Sequence, residues 1–434
     1  MLGKQSPQNA LFQYVNLEDL IPENHLLRRI DRALDLSFLR PMVEPLYVSE
    51  GRPSIDPEVA FRAMLLGYLF NLNDHRLHQE LTMHAGYRWF CRLDFNDPVP
   101  DRSTLIKTRE RWAKAGLLDS ILAQIVQQCI ERGLVQGDTL AIDGTQIPAR
   151  AAVNSLERIG TVLQMEESDS DEDDDEPPSS PPRQAGNPDF HGERFSNATH
   201  RSKTDPDARL YRKGKGKETR LSYLGHYVAD VPSGVILAAE ATLATGDAET
   251  QVGRRLLAQV QQQLPHPSQR RKLAADKGYA EKNFLKETIE LGFDPHIALQ
   301  KEEEEPIPTW KRRTFSLDRL RRRKLKVQWA KARNTVRQLN RQPITAYVRH
   351  LRKRIEHLFA EGKEWHGLDR ARGRRLWRIQ IQTRMTAITQ NLKRMAHFLH
   401  RHSPAGEGAG WFNMTGQSLW PPNQLSVSFQ RAEI

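Results

Sequence analysis

Cysteine is nearly absent from this chain of 434 residues: there are two, Cys91 and Cys129, far apart and without C-x-x-C spacing. That argues against a disulfide framework and against a cysteine zinc site. Long apolar runs are missing too, since nothing approaches the roughly 18 residues that a membrane span requires. The opening stretch MLGKQSPQNALFQYV lacks the basic-then-apolar order of a signal peptide. A soluble, cytoplasmic protein with no membrane partner is therefore expected. An excess of negative charge is also lacking: the formal net charge is +11, with a sequence pI of about 9.6. The basic part is stronger than that figure says, because EESDSDEDDDE at 166–176 gathers many of the acids in one block. A basic balance suits a polyanion such as DNA or RNA, whose phosphates release counterions on contact, although many basic proteins bind no nucleic acid.

Residues 1–135 read as a helical N-terminal domain. In SIDPEVAFRAMLLGYLF, Asp56 is placed to cap a helix that begins at Pro57. The run DRSTLIKTRERWAKAGLLDSILAQIVQQCIERG predicts a further helical region, with Asp101 or Ser103 as its cap and Gly133 as its close. From residue 138 the period changes to that of strands. DTLAIDGTQIPA, the hairpin RLSYLGHYVAD/GVILAAEATLA turning at Pro232 to Gly234, a helix near 247–263, the strand RKLAADKGY, the helix EKNFLKETIELG and the strand DPHIALQ predict a mixed α/β sheet. Residues 164–208, rich in Asp, Glu, Pro, Ser and Asn, have too little apolar content to offset chain entropy and are expected to form a disordered insertion. Strongly basic helices follow, with Arg321, Arg322, Arg323, Lys324 and Lys326 close together. The tail from 401 to 434 has no clear period.

Two short apolar strands each carry an acid beside a glycine: LAIDGT holds Asp143 and LAADKGY holds Asp276. A turn aspartate capping its loop explains either one singly. A third acid lies in RHLRKRIEHLFAEGK, where Leu351, Ile355, Leu358 and Phe359 form an apolar stripe. At about 100° per residue, Arg352, Glu356 and Lys363 project within about 40° of one another beside it. An ordinary i,i+4 ion pair accounts for Arg352 and Glu356 taken alone. Taken together, three acids in a basic chain, two on strands and one on a later helix, suit a divalent metal site acting on a phosphodiester. Hard carboxylate oxygens match Mg²⁺, and without a cation they would repel and raise one another's pKa.

In this order the motifs resemble those of the DDE-type bacterial insertion-sequence transposases. RPSIDPEVAFRAMLLGYLF and YRWFCRLDFNDPVPDRSTLIKTRERW are similar to the helical N-terminal domain of that group. AIDGTQI, FSNATHRSKTDPDARLYRKGKGKETRLSYLGHYV, AEATLATGDAE, ADKGY and RKRIEHLF are similar to its catalytic part. The family's helix signature, Y-x-x-R-x-x-x-E-x-x-x-x-x-x-K, falls on Arg352, Glu356 and Lys363. Arg349 stands in the tyrosine position, with Tyr347 two residues earlier. The resemblance implies an RNase H-like catalytic domain over 136–400 and a catalytic, metal-binding triad of Asp143, Asp276 and Glu356. It further implies two Mg²⁺ ions, with Mn²⁺ as a substitute, and DNA contacts from Arg352 and Lys363. The cluster Arg321, Arg322, Arg323 and Lys324 is expected to add sequence-independent attraction to DNA.

The expected function is cleavage at insertion-sequence ends and joining of the 3′-hydroxyls to target DNA. The partners would be double-stranded DNA, namely the terminal inverted repeats and the target, with a homo-oligomer assembled on DNA in a bacterial, nucleoid-associated setting. Two other readings stay open: an RNase H-like nuclease without strand transfer, and a catalytically silent transposase-derived DNA-binding protein. Elsewhere, His226 on its strand suits a structural role, and His200 near Asp205 and Asp207 a metal or acid/base one. KGKGK at 213–217 suits a phosphate-contacting loop, and Trp365 and Trp377 either stacking on bases or packing.

Overall fold

The computed structural model describes residues 16–159, 195–310 and 316–402, apart from positions 49, 51–53, 213, 215–217, 247, 266 and 268. The N-terminal part is helical: α1 (Leu17–Leu20), α2 (Leu26–Ala33), α3 (Leu39–Val43), α4 (Pro57–Leu69), α5 (Asp74–Met83), α6 (Ala85–Phe90), α7 (Arg102–Lys114) and α8 (Leu117–Glu131). Asp56 caps α4 as the sequence predicts, its carboxylate accepting the Glu58 N–H at 2.7 Å ahead of Pro57. From Ala60 to Leu69 every residue of α4 is buried, each large apolar side chain contributing about 1.5–3 kcal/mol. The helical run after Asp101 divides in two, because Gly116 takes a left-handed φ of 70° between α7 and α8.

The sheet has six strands: β1 (Thr139–Pro148), β4 (Arg209–Tyr211), β5 (Arg220–Asp230), β6 (Ile236–Leu243), β7 (Arg271–Ala275) and β8 (Phe293–His296), ordered β4-β5-β1-β7-β8, with β6 also paired to β5. β5 runs antiparallel to β1 and β6, whereas β1–β7 and β7–β8 are parallel. The parallel pairs need crossovers, and these carry α9 (Ala248–Gln263) and α10 (Lys282–Glu290). The β5–β6 hairpin turns through Gly234 at φ 71°. The Asp230 carboxylate holds that turn by accepting the Ser233 N–H at 3.2 Å and the Gly137 N–H at 2.9 Å. Four helices complete the described chain: α11 (Leu317–Asn340), α12 (Ile344–Leu351), α13 (Lys353–Trp365) and α14 (Leu376–Arg401). α14 packs against β6, α8, α2 and α4, so one continuous apolar core runs from Leu17 to Ala396 and packing is unbroken across residue 135.

The expectation of disorder over 164–208 is corrected for its last part. β3 (His200–Ser202) pairs with β2 (Leu156–Arg158). Asp205 is fully buried, accepting from the Tyr223 hydroxyl at 2.7 Å and the Arg375 N–H at 3.0 Å. Asp207 accepts the Leu376 N–H at 2.9 Å. Acids that composition reads as solvated thus meet the exposed N–H groups at the start of α14, where negative charge is favoured. This also gives Asp205 and Asp207 a structural use in place of the role with His200. The acidic block at 166–176, most of KGKGK and the tail beyond His402 lie outside the described residues.

One buried ionic cluster ties α13 to its surroundings. Glu361 accepts from Lys393 at 2.6 Å and Arg394 at 2.7 Å. His366 lies 3.6 Å from the same carboxylate and hydrogen-bonds the Tyr68 carbonyl of α4 through Nδ1 at 2.8 Å.

Candidate active site

The two strand acids meet because of strand register. β1 and β7 pair in parallel with Ile142 opposite Ala275, so Asp143, midway along β1, and Asp276, just past the end of β7, are the next residues on adjacent strands. Neighbouring strands lie about 4.8 Å apart, which places the two carboxylates side by side. Each is steadied by the residue after it: Asp143 Oδ1 accepts the Gly144 N–H at 2.8 Å and Asp276 Oδ1 the Lys277 N–H at 2.6 Å. Across β1, Asp143 is in register with Tyr227 of β5. The Tyr227 ring stacks on Phe359 of α13 with centroids 4.5 Å apart. That contact holds α13, and Glu356 in its first turn, on the face that Asp143 occupies.

Arg352 stands between two of the acids. Its Nη1 donates to Asp143 Oδ2 at 3.1 Å, and its Nη2 lies 2.7 Å from Glu356 Oε1. Here the uninterrupted helix predicted for this stretch is corrected: α12 ends at Leu351, α13 begins at Lys353, and Arg352 is the joint. Arg352 keeps a helical backbone conformation at the joint, so it still pairs with Glu356 four residues on while also reaching Asp143. Burial pushes the Asp143 carboxyl above its ordinary pKa. The Gly144 N–H and Arg352 oppose the rise, and the charges of Asp276 and Glu356 add to it. The site is short of positive charge. Among the described residues, no three His, Cys, Asp or Glu side chains already stand together as a group that could hold an ion.

The remaining predicted residues are dispersed. Lys363 lies seven residues beyond Glu356 on α13 and is half-buried, about 10 Å further along the axis at 1.5 Å per residue. Arg321, Arg322 and Lys324 project from α11 into solvent, while Arg323 covers the Trp310 ring at 4.9 Å. Trp365 is exposed, and Trp377 lies under Arg378 at 4.8 Å.

His226 is buried on β5 with Nε2 bonded to Thr242 Oγ1 at 2.8 Å. Burial lowers its pKa to about 4, with the Arg255 charge adding to the effect. A histidine whose folded pKa is depressed gives stability that is present above the unfolded value and lost as pH falls. Between pH 6.5 and about 4 this one group is expected to remove roughly 3 kcal/mol of stability. Urea melts across that range should show a shallower acid limb in His226→Gln than in the wild type.

Residues 15–111 match the family model described as "Transposase domain (DUF772)", and residues 137–392 match that described as "Transposase DDE domain". Asp143, Asp276, Arg352, Glu356, Lys363 and the Arg321–Lys324 cluster all fall within the second match. No solved structure matches the chain.

Proposed function

Since the chain belongs to the DDE transposase family, with an RNase H-like mixed sheet behind a helical N-terminal region, we propose that it cleaves the ends of an insertion sequence and joins the 3′-hydroxyls to target DNA. The observation that carries this reading is the placing of Asp143 and Asp276 one step beyond the paired Ile142 and Ala275 of adjacent strands, with Glu356 close enough for its charge to act on Asp143. The donor set fits a hard divalent cation: all three groups are carboxylates, and their mutual repulsion is only partly met by Arg352. Asp143, Asp276 and Glu356 would hold the ions. Two Mg²⁺ ions so held would supply activation of the attacking oxygen and stabilisation of the departing one. The attacking groups are water for cleavage and the DNA 3′-hydroxyl for joining, and the protein forms no covalent bond to DNA.

Arg352 has a different task in this reading. In the DNA-free chain its guanidinium neutralises part of the acid pair. A phosphate beside the scissile bond offers the same planar, bidentate match, so Arg352 passes from the carboxylates to DNA when substrate and metal enter. Lys363 extends this contact along α13, and the α11 cluster attracts any duplex. Together with the helical domain of residues 1–135, read as a DNA-binding part, these surfaces assemble a homo-oligomer on paired ends.

The decisive experiment incubates the protein with end DNA, a target plasmid and Mg²⁺. Joined products support transposition, cleavage without joining leaves a nuclease, and binding without cleavage leaves a silent DNA-binding protein. Two further results are expected. Arg352→Ala and Lys363→Ala should cut saturating end DNA on the order of a hundredfold more slowly, because a misplaced phosphate loses that much rate. Near wild-type single-turnover rates would return Arg352 to a purely structural pairing. For Arg322→Ala and Lys324→Ala, affinity for end and random duplexes should fall alike, with the slope of log affinity against log salt reduced by about 0.9 for each phosphate no longer neutralised. A weakening confined to end DNA would contradict the non-specific role.

A further inference from the structure

Asp143 and Asp276 are followed by glycines at 144 and 278, and the space in front of both is filled by one side chain. A methyl group built on Gly144 would meet Glu249 Oε1 at 3.1 Å and His226 Nδ1 at 3.3 Å. One built on Gly278 would lie 3.6 Å from Glu249 Oε2. Glu249 belongs to the first turn of α9, on the face of β1 that Gly144, not Asp143, presents. Its carboxylate therefore lies against both Gly144 and Gly278, the glycines that follow the two acids, from the side opposite Glu356.

Two buried polar atoms stand at this spot. His226 Nδ1 and the Tyr279 hydroxyl have no hydrogen-bond partner among the described residues, and both residues are essentially fully buried. The Tyr279 hydroxyl also locates the charges. Burial raises its pKa well above normal, and after burial the contributors are Glu249, Asp143 and Asp276, in that order. One phenol thus feels all three carboxylates. Unpaired buried polar atoms are costly, which is understandable where an ion and its waters complete the set.

We propose that Glu249 is a fourth carboxylate of the metal centre, reaching it past Gly144 and Gly278 from the α9 side. This rests on the reading of Asp143, Asp276 and Glu356 as metal ligands. Gly144 keeps this approach open, because a methyl group there would press on Glu249 at 3.1 Å, whereas one at 278 would only touch it at 3.6 Å.

The test measures Mn²⁺ binding by calorimetry on the full chain bound to uncleaved end DNA. The variants are Glu249→Gln, Gly144→Ala and Asp143→Asn, each with its melting temperature recorded without metal. Glu249→Gln keeps the shape of the side chain, removes its charge and exchanges one acceptor oxygen for an amide donor. It is expected to weaken at least one Mn²⁺ site tenfold or more with an unchanged metal-free melt. Gly144→Ala, which displaces the carboxylate, is expected to do the same in part, and it carries the test if Glu249→Gln fails to fold. Wild-type Mn²⁺ affinity in both variants, with weakened affinity in Asp143→Asn, would overturn the fourth ligand and leave the triad standing. Wild-type affinity in Asp143→Asn would instead overturn the triad reading, and this proposal with it.

Discussion

Asp143→Asn, Asp276→Asn and Glu356→Gln are each expected to lower end cleavage by about a thousandfold or more while leaving binding of end DNA intact. Metal ions that clamp both oxygens of a displacement supply several kcal/mol of transition-state stabilisation, and each 1.36 kcal/mol is about a factor of ten in rate. The variants should not lose stability in step. Burial holds the Asp143 carboxyl above its ordinary pKa, and a carboxyl raised in the fold gives stability only below its unfolded value, lost as pH rises through the folded one. Its charge is thus a cost near neutrality, so metal-free Asp143→Asn should melt no lower than the wild type. Added Mg²⁺ should then raise the melting temperature of the wild type by mass action, and of this variant much less. Cleavage at a near wild-type rate in any of the three would remove that residue from the site.

Glu361→Ala is expected to cost about 3 kcal/mol, the low end for breaking a buried ion pair, since the carboxylate is 21% exposed. Burial alone would raise the Glu361 pKa. The nearby His366 ring and the charges of Arg394 and Lys393 overcome it and hold the carboxyl far below its usual range. A depressed carboxyl gives stability that is present above its unfolded pKa of about 4.5 and lost as pH falls below it. The difference in urea stability between Glu361→Ala and the wild type should therefore be full at pH 7 and shrink towards acid pH. Because the cluster fixes α13 against α14 and α4, cleavage should fall as well, with Asp143 and Asp276 untouched. Equal stability at neutral pH would show that the cluster is only a solvated surface group.

The central strands, the β5–β6 hairpin and the α4 cap were legible in the sequence because each rests on a local rule: a short apolar run, a turn glycine, or Asp-Pro before an apolar helix. The strand acids were legible for the same reason, each being an exception inside a short apolar run. What was hidden is tertiary. Helical periodicity carries smoothly through Arg352 and gives no sign that one helix ends at Leu351 and another begins at Lys353. Asp205 and Asp207 look solvated until α14, some 170 residues later, offers its N-terminus. Glu249 sits in an ordinary first helical turn, and only its contact with Gly144 and Gly278 sets it apart. Its one sequence signal was a glycine after each strand acid, which also reads as turn chemistry.

Asn391 of α14 donates to the Ile236 carbonyl at 2.8 Å and accepts the Ile236 N–H at 2.8 Å. A side-chain amide thus imitates one residue of a neighbouring strand at the start of β6, using up the backbone groups with which another chain could extend the sheet. Two copies meeting on paired DNA ends would find no strand to add at that point. Contact between copies at that point must be built from side chains, whose pairing the spacing of the DNA can set.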